Sequence, residues 1–424
     1  MTSAHSMRRM IQLGATAISM GPRNAANAAI RRALVSLGSL VDTPIDELPV
    51  SIEYLTSADE LQPTRAEDSR AKVLHIGWIC SPPSAGSGGH TTLFRMVKAA
   101  EERGHICTLL LYDKNSNDVA RHEVQVRQWW PELKASIRSA TGDLAGLDAI
   151  VASSWGTAHL LASRKPQNLH CFYFIQDYEP YFYPRGALYA FAEETYRFGF
   201  INIALGAMVD ATIERETGIR SDVTVPFGCD LKTYRLLPRH DEKENRTGVV
   251  YYSKRTADRR GYLLAKLALE IFHKLHPEQE IHVYGDVVKN WRIPVTNHGT
   301  LSPSQLNELY NRTIASVALS FTNVTLVAEE MMAAGNVPVI NDHPFSRAVL
   351  DSSGPIWTAA TPKGIAAGLC AAICAENKAV RATRLSNMSR TDWNHTGALV
   401  ASCIEKYCNR QPEGAAALFI ANKK

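Results

Sequence analysis

Two series of short apolar runs alternate with helix-like segments along this chain, and one polar, charged stretch separates the series. Strands that alternate with helices must pair in parallel, because each crossover helix carries the chain back to the same end of the sheet. Such sheets are covered on both faces, so their strands read as continuous apolar runs. In the first series Val73–Ile79 reads as a strand, Ser81–Gly89 as a Gly/Ser/Pro loop and Thr92–Arg103 as a helix stopped by Gly104. Ile106–Leu111, Leu147–Ala152, Cys171–Ile175 and Ile201–Leu205 read as further strands. Residues 228–247, with Pro238 among them, read as a hinge region. The alternation then restarts. Gly248–Tyr252, Ile281–Tyr284, Ala315–Ser320 and Val337–Ile340 are predicted strands, and Tyr262–Leu275 and Leu326–Ala334 predicted helices, the latter ended by Gly335. Ser302-Pro303-Ser304-Gln305 opens another helix, with Ser as cap, Pro at the first helical position and Gln three after the cap. The tail from Pro362 to about Asn409 is predicted mostly helical.

A chain of 424 residues is too long for one ordinary core. The expected division is an arm and linker at 1–69, a first α/β domain at 70–230, a hinge at 231–247, a second α/β domain at 248–395 and a C-terminal helix and tail at 396–424. Two doubly wound halves bind ligand in the cleft between them, at the carboxyl ends of the strands. No apolar run reaches the roughly 18–20 residues that span a bilayer. The net charge of +4 resides in the arm: residues 1–41 hold Arg8, Arg9, Arg23, Arg31, Arg32 and no acid, leaving 41 basic against 42 acidic residues. A nearly neutral body argues against a nucleic-acid groove. Eight scattered cysteines show no metal-ligand spacing and read as reduced, mostly core thiols of a cytosolic protein.

The arm breaks at Gly21-Pro22, and beyond it Ile30, Ala33, Leu34 and Leu37 form one stripe beside Arg31 and Arg32. One reading lays this helix on an anionic membrane face, giving a cytoplasmic protein peripheral on the inner side of the membrane. The other readings dock it on the body or leave it as a leader. Residues 42–69, rich in Asp, Glu, Pro and Ser, read as a linker or small subelement.

Several side chains carry chemistry. Gly86, Gly88 and Gly89 permit a tight turn and close backbone approach to a ligand, before a helix whose first amides are unpaired. Asp177 and Glu179 follow a predicted strand, where either carboxylate suits a general base or an orienting group for a hydroxyl. Tyr178, Tyr181, Phe182 and Tyr183 beside them suit stacking on sugar faces, or ordinary interface packing. Lys254, Arg255, Arg259 and Arg260 follow the first strand of the second half, and cations there suit an anionic ligand. Thr325 is a candidate N-cap of the helix that carries Glu330. Four histidines, His90, His159, His282 and His298, have no partner that spacing identifies, and Tyr284 and Gly285 are candidates to border a base pocket.

Three segments carry a family resemblance: Ser84-Ala85-Gly86-Ser87-Gly88-Gly89-His90-Thr91-Thr92 with Arg95; Ile175-Gln176-Asp177-Tyr178-Glu179-Pro180 with Tyr183-Pro184 and Ala192–Arg197; and Ser320-Phe321-Thr322-Asn323 with Glu329–Gly335. In these, residues 73–400 resemble retaining GT-B glycosyltransferases of glycosyltransferase family 4, and among them the WsaF-type rhamnosyltransferases of bacterial surface-polysaccharide synthesis. The resemblance implies a GT-B fold, two Rossmann-like domains facing across a cleft, here with an N-terminal helical extension. It implies metal-independent transfer of a sugar, rhamnose from dTDP-rhamnose, to a growing glycan or lipid-linked glycan, with no cofactor beyond the nucleotide-sugar substrate. It places Gly86, Gly88 and Gly89 over the cleft, Lys254 and Arg259 on the donor diphosphate with Thr322, Asn323 and Thr325, and Glu330 on the ribose hydroxyls. Many members carry a second glutamate eight residues before the ribose-binding one; this chain has Thr322 there, which leaves the retaining or inverting outcome open. A UDP- or GDP-hexose transferase and a non-catalytic nucleotide-sugar-binding scaffold are the alternatives. A nicotinamide-dependent dehydrogenase fails, because no GxGxxG follows a strand.

Overall fold

The computed structural model describes residues 48–61, 72–84, 86–116, 118–164, 166, 168–238, 246–323, 325–350 and 353–409. The chain forms two compact units, Met1–Glu53 and Tyr54–Lys424. The basic arm and its membrane reading lie outside the described residues, as does most of the linker.

Within the second unit the first α/β half runs β1 (His75–Cys80), α1 (Gly88–Glu102), β2 (Ile106–Leu111), α2 (Val119–Trp129), β3 (Ser136–Ser139), β4 (Ala149–Ala152), α3 (Trp155–Ser163), β5 (His170–Ile175), α4 (Ala187–Glu194), β6 (Ile201–Leu205), α5 (Ala207–Thr217) and β7 (Val223–Val225). These strands form one sheet of order β3-β2-β1-β4-β5-β6-β7, and every pairing is parallel.

The second half runs β8 (Val249–Ser253), α6 (Tyr262–Leu275), β9 (Ile281–Gly285), β10 (Thr296–Gly299), α7 (Pro303–Arg312), β11 (Ala315–Val317), α8 (Thr325–Ala333), β12 (Val337–Asn341), α9 (Pro344–Val349), β13 (Ile356–Thr358), α10 (Pro362–Cys374), α11 (Lys378–Ser386) and α12 (Trp393–Cys408). Its sheet, order β10-β9-β8-β11-β12-β13, is also wholly parallel. Each half has its own core. In the first, Trp78, Phe94, Phe172 and Phe174 are buried; in the second, Tyr251, Phe272, Met331 and Ile340.

The capping signal at Ser302 is realised in full. Ser302 Oγ accepts from the Gln305 amide, and Gln305 Oε1 accepts from the Ser302 amide at 2.9 Å. Two local expectations are corrected. Gly88 and Gly89 open α1 instead of extending the loop, because Ser87 caps the helix and accepts from the His90 amide. Thr325 is the first helical residue of α8 rather than its cap. β11 also ends at Val317, short of the expected Ser320. The Ser320 amide there donates to the Asn341 side chain at 3.0 Å, which takes the backbone off the ladder.

The last helix, α12, begins at Trp393 and joins the core of the first half, where Val400, Cys403, Ile404 and Cys408 are buried. Trp393 lies so close to Gly228 that a Cβ there would stand 2.6 Å from its ring. Glu405 anchors the far end, accepting from Arg103 Nη2 at 2.6 Å and pairing with His105 at 2.8 Å. All eight cysteines are free thiols, and six of them are buried. No described helix is long and apolar enough to cross a membrane.

Candidate active site

Parallel sheets present the carboxyl ends of their strands, and the loops that follow them, on one side. Here those loops from the two halves meet. The turn after β1 comes within reach of the second half at Gly86, where a Cβ would lie 3.9 Å from Thr300 Cγ2. Gly86 itself has φ +73, a conformation that favours glycine. The loop after β5 meets the loop after β11 more closely: Thr322 Oγ1 donates to Asp177 Oδ2 at 2.8 Å. Asp177 Oδ1 accepts from the Tyr178 amide at 2.9 Å, so both carboxylate oxygens are used. Burial raises the Asp177 carboxyl above its ordinary range, and Arg259 and Arg260 oppose that.

The loop holding Thr322 is knitted to the one holding the arginines. The Phe321 amide donates to the Arg259 carbonyl at 2.9 Å. Arg260 Nη1 donates to the Asn323 carbonyl at 3.1 Å and to Ser320 Oγ at 3.3 Å. Asn341 at the end of β12 holds Ser320 from the other side, donating to its carbonyl at 2.8 Å. Gly261 closes the arginine loop with φ +63, and a Cβ there would stand 2.9 Å from Leu319 Cδ1. Arg259 reaches across to the first half, its guanidinium 4.1 Å from the centre of the Phe182 ring. Its Nε is buried and has no hydrogen-bond partner among the described residues. Burial and the neighbouring Arg260 lower its pKa, so the surroundings favour an incoming anion.

Glu330, on the second turn of α8, is 9% exposed. Its carboxylate makes no hydrogen bond to the described residues, and burial pushes its pKa up to about 8, with Asp230 adding to the rise and Arg95 opposing it. Arg95 comes from α1, pairs with Asp230 at 3.5 Å and lies 4.9 Å over the Trp393 ring. Tyr234, Tyr284 and Tyr310 complete the surroundings, and each has its phenol pKa raised in part by the Glu330 charge.

The structure thus brings Asp177, Arg259, Thr322 and Asn323 together with the start of α8, and sets Glu330 on that same helix. It directs other predicted residues elsewhere. The Glu179 carboxylate accepts from the Trp155 amide at the start of α3 and from Tyr173 Oη at 3.2 Å, inside the first half. Burial lifts that carboxyl to about 7. Lys254 stands apart, 3.9 Å from Asp286. Tyr178 is not a sugar platform: it is fully buried, stacked on Tyr196 at 5.4 Å, with its hydroxyl donating to Glu193 at 2.7 Å. Tyr284 stacks on Tyr252 at 5.0 Å and bonds Tyr310 Oη at 2.7 Å, in the second-half core beneath Glu330. His159 is buried and faces Phe191 and Phe198, and His282 pairs with His298 at 3.1 Å. Arg95 and Ser320 entered the sequence reading only as parts of family motifs without a role, and Asn341 is a contribution that no local spacing announces.

Beside Asp177 lies a cavity of about 420 Å³. Its walls are Tyr181, Tyr183, Arg185, Tyr189 and Glu216 from the first half. Phe321, His343 and Phe345 close it from the second.

Two facing parallel-sheet halves with this cleft are the GT-B fold, and solved structures agree. HepE of Anabaena, in complex with UDP and glucose, matches with TM-score 0.53 at 13% identity over 82% of this chain and 100% of that chain. WaaG, a glycosyltransferase involved in lipopolysaccharide biosynthesis, matches at 0.55 and 13% over 78% and 99%. A glycosyltransferase of Rickettsia africae matches at 0.56 and 11% over 80% and 100%. At such identities the likeness is one of fold. In sequence, the model of the WsaF N-terminal domain matches residues 142–207, the segment that carries Asp177 and Glu179. The O-antigen biosynthesis protein RfbC of Myxococcus xanthus is 27% identical over 363 residues, 80% of this chain. The chain spans only 28% of that relative's length.

Proposed function

We propose that this chain is a glycosyltransferase of bacterial O-antigen or related polysaccharide synthesis, taking a nucleotide-sugar donor and a glycan or lipid-linked glycan acceptor. One observation carries the reading: at the cleft the Arg259 Nε is buried without a hydrogen-bond partner among the described residues, and the Glu330 carboxylate, 9% exposed, makes no hydrogen bond to them. Buried polar groups in native proteins are satisfied, so such a pair asks for a ligand with an anion at one end and hydroxyls at the other. A nucleoside diphosphate has both.

On this reading the diphosphate lies against Arg259, Arg260 and the first amides of α8, where the helix dipole adds to the cations. Glu330 accepts from the vicinal ribose hydroxyls. In the reaction the bond between the anomeric carbon and the diphosphate oxygen breaks, and the leaving diphosphate keeps the electron pair. The acceptor hydroxyl oxygen forms the new bond and gives its proton to Asp177 as general base. Of the two acceptor-side carboxylates, Asp177 is assigned to that hydroxyl. Glu179 holds the loop through Trp155 and Tyr173. The cations leave the leaving-group charge compensated without a metal ion. Closing the halves excludes water that would otherwise hydrolyse the donor. The WsaF resemblance favours dTDP-rhamnose as donor, with UDP- or GDP-hexoses as the alternative.

The test is calorimetric titration with dTDP, UDP, GDP and CMP, without added metal, on wild type and Glu330→Ala. Selective dTDP binding that weakens in the variant supports the rhamnosyl reading. Selective UDP or GDP binding keeps the reaction and changes the donor. Binding of none of the four overturns the proposal and leaves a scaffold role.

A further inference from the structure

The cavity beside Asp177 shares no lining residue with the surroundings of Glu330. It touches the reaction site at two points. Phe321 directly precedes Thr322, whose hydroxyl holds Asp177. Tyr181 packs edge-on against Tyr178, the residue after Asp177, with ring centres 4.7 Å apart.

Its walls are aromatic and planar-polar together. Phe321 is 46% exposed although Thr322 beside it is buried, so an apolar ring is held open at the cavity. The Phe345 ring is fixed from both sides, by the Arg215 guanidinium at 3.9 Å and the His343 ring at 4.5 Å. The polar wall is rigid as well. Tyr181 Oη donates to Glu216 Oε1 at 2.9 Å and accepts from Arg215 Nη2 at 2.8 Å. Glu216 Oε2 faces Arg185 at 3.7 Å, and Arg185 in turn lies 5.2 Å over the Tyr189 ring. A pyranose ring has apolar C–H faces and an equator of hydroxyls. Aromatic walls match the faces, and the Glu216 carboxylate and Arg185 guanidinium match the equator. A phosphate would meet Glu216, and a fully apolar ligand would make no use of the polar wall.

We infer that this cavity is the subsite for a pyranose unit of the acceptor glycan, gripped between Phe321 and Phe345 of the second half and the Tyr181–Glu216–Arg185 wall of the first. The inference rests on the glycosyltransferase reading for the word acceptor, but not for the sugar. Because both halves line the cavity, acceptor binding is tied to closure: the sugar that receives the transfer helps hold Asp177 against Thr322.

The probe is a set of methyl glycosides, α-L-rhamnoside, α-D-glucoside and β-D-galactoside, observed by saturation-transfer NMR on the full chain. The variants are Phe345→Ala and the isosteric Glu216→Gln, each checked for its melting temperature and for calorimetric binding of the nucleotide that wild type takes. The expected result is transfer to the ring protons of at least one glycoside, with apparent affinity weakened roughly tenfold in both variants and nucleotide binding unchanged. Nucleotide binding without transfer to any glycoside, or transfer that both variants leave intact, overturns the subsite and spares the proposed function. Glycoside binding lost in the variants of a chain that takes no nucleotide keeps the sugar site and removes the transferase. Binding of neither removes both. If Phe345→Ala fails to fold, Glu216→Gln alone decides.

Discussion

Glu330 makes the nucleotide site sensitive to pH in a direction that can be worked out. Burial holds its pKa at about 8, against an ordinary 4.5. At neutral pH most free protein therefore carries the proton. Two vicinal hydroxyls that donate to this side chain favour the carboxylate, so nucleotide binding expels the proton. Roughly 0.9 proton should leave per nucleotide at pH 7, and affinity should rise about tenfold between pH 7 and pH 9. The diphosphate does not confuse the window, since its last ionisation near about 6 is complete below it. Calorimetry in buffers of different ionisation enthalpy measures the released proton directly. Glu330→Gln should abolish the release and flatten the pH dependence. In the free protein the sign is opposite. The native state keeps a proton that the unfolded chain loses above 4.5, so stability is full below that pH and declines as pH rises through about 8. The whole effect is on the order of 5 kcal/mol, and the glutamine variant should lack it. No proton release at pH 7 together with a flat affinity from pH 7 to 9, or a glutamine variant with the wild-type profile, would refute the assignment of Glu330 to the ligand.

Three further outcomes are expected. Thr322→Val removes the 2.8 Å bond across the cleft and leaves Asp177 buried with one acceptor unmet; denaturant titration should show a loss of about 1–3 kcal/mol, recovered by Thr322→Ser. Arg259→Ala should weaken a nucleoside diphosphate roughly tenfold to a hundredfold and leave the parent nucleoside unchanged, because the guanidinium faces the phosphates alone. Gly261→Ala adds a Cβ at φ +63 that would stand 2.9 Å from Leu319 Cδ1. The arginine loop must shift, so nucleotide affinity should fall by more than the melting temperature suggests.

The strands that periodicity revealed and those it missed are divided by position in the sheets. β1, β2, β4, β5 and β6 of the first sheet and β8, β9, β11 and β12 of the second all announce themselves as apolar runs. Each lies between two neighbours and is buried on both faces, as in Ala149–Ala152, where all four residues are buried. The missed strands are β3, β7, β10 and β13, with sequences Ser-Ile-Arg-Ser, Val-Thr-Val, Thr-Asn-His-Gly and Ile-Trp-Thr. Every one is a sheet edge. An edge strand is short and partly wet, and polar residues there discourage pairing with other chains, so its sequence resembles a loop. The helical periodicity of the tail was legible, but not where it docks: α12 buries Trp393 and Ile404 against the first half, a contact between residues hundreds of positions apart.

The same separation governs the site. Arg259 was legible because it follows a strand at the end where ligands bind, whereas Glu330 and Asn323 were placed by the family resemblance. Thr322 was legible as a donor-side residue and as a missing carboxylate. The structure adds what a single sequence withholds: the hydroxyl of Thr322 grips the carboxylate of Asp177, 145 positions earlier in the chain. An acid therefore does stand at this loop, but it belongs to the opposite half. A glutamate on the loop itself would be in place whether the halves were open or closed. Asp177 is in place only when they meet, and apart from Thr322 its hydrogen-bond partner among the described residues is its own neighbour's amide. Separating the halves would return this carboxyl to water and lower its pKa toward the ordinary range, since burial is the main cause of its rise. Closure and the protonation of Asp177 are thus linked: Thr322→Val weakens closure and, while the carboxyl stays buried, removes a hydrogen bond that lowers its pKa, so the proton should be held more tightly, whereas a substitution confined to the first half, such as Glu179→Gln, acts on neither contact directly.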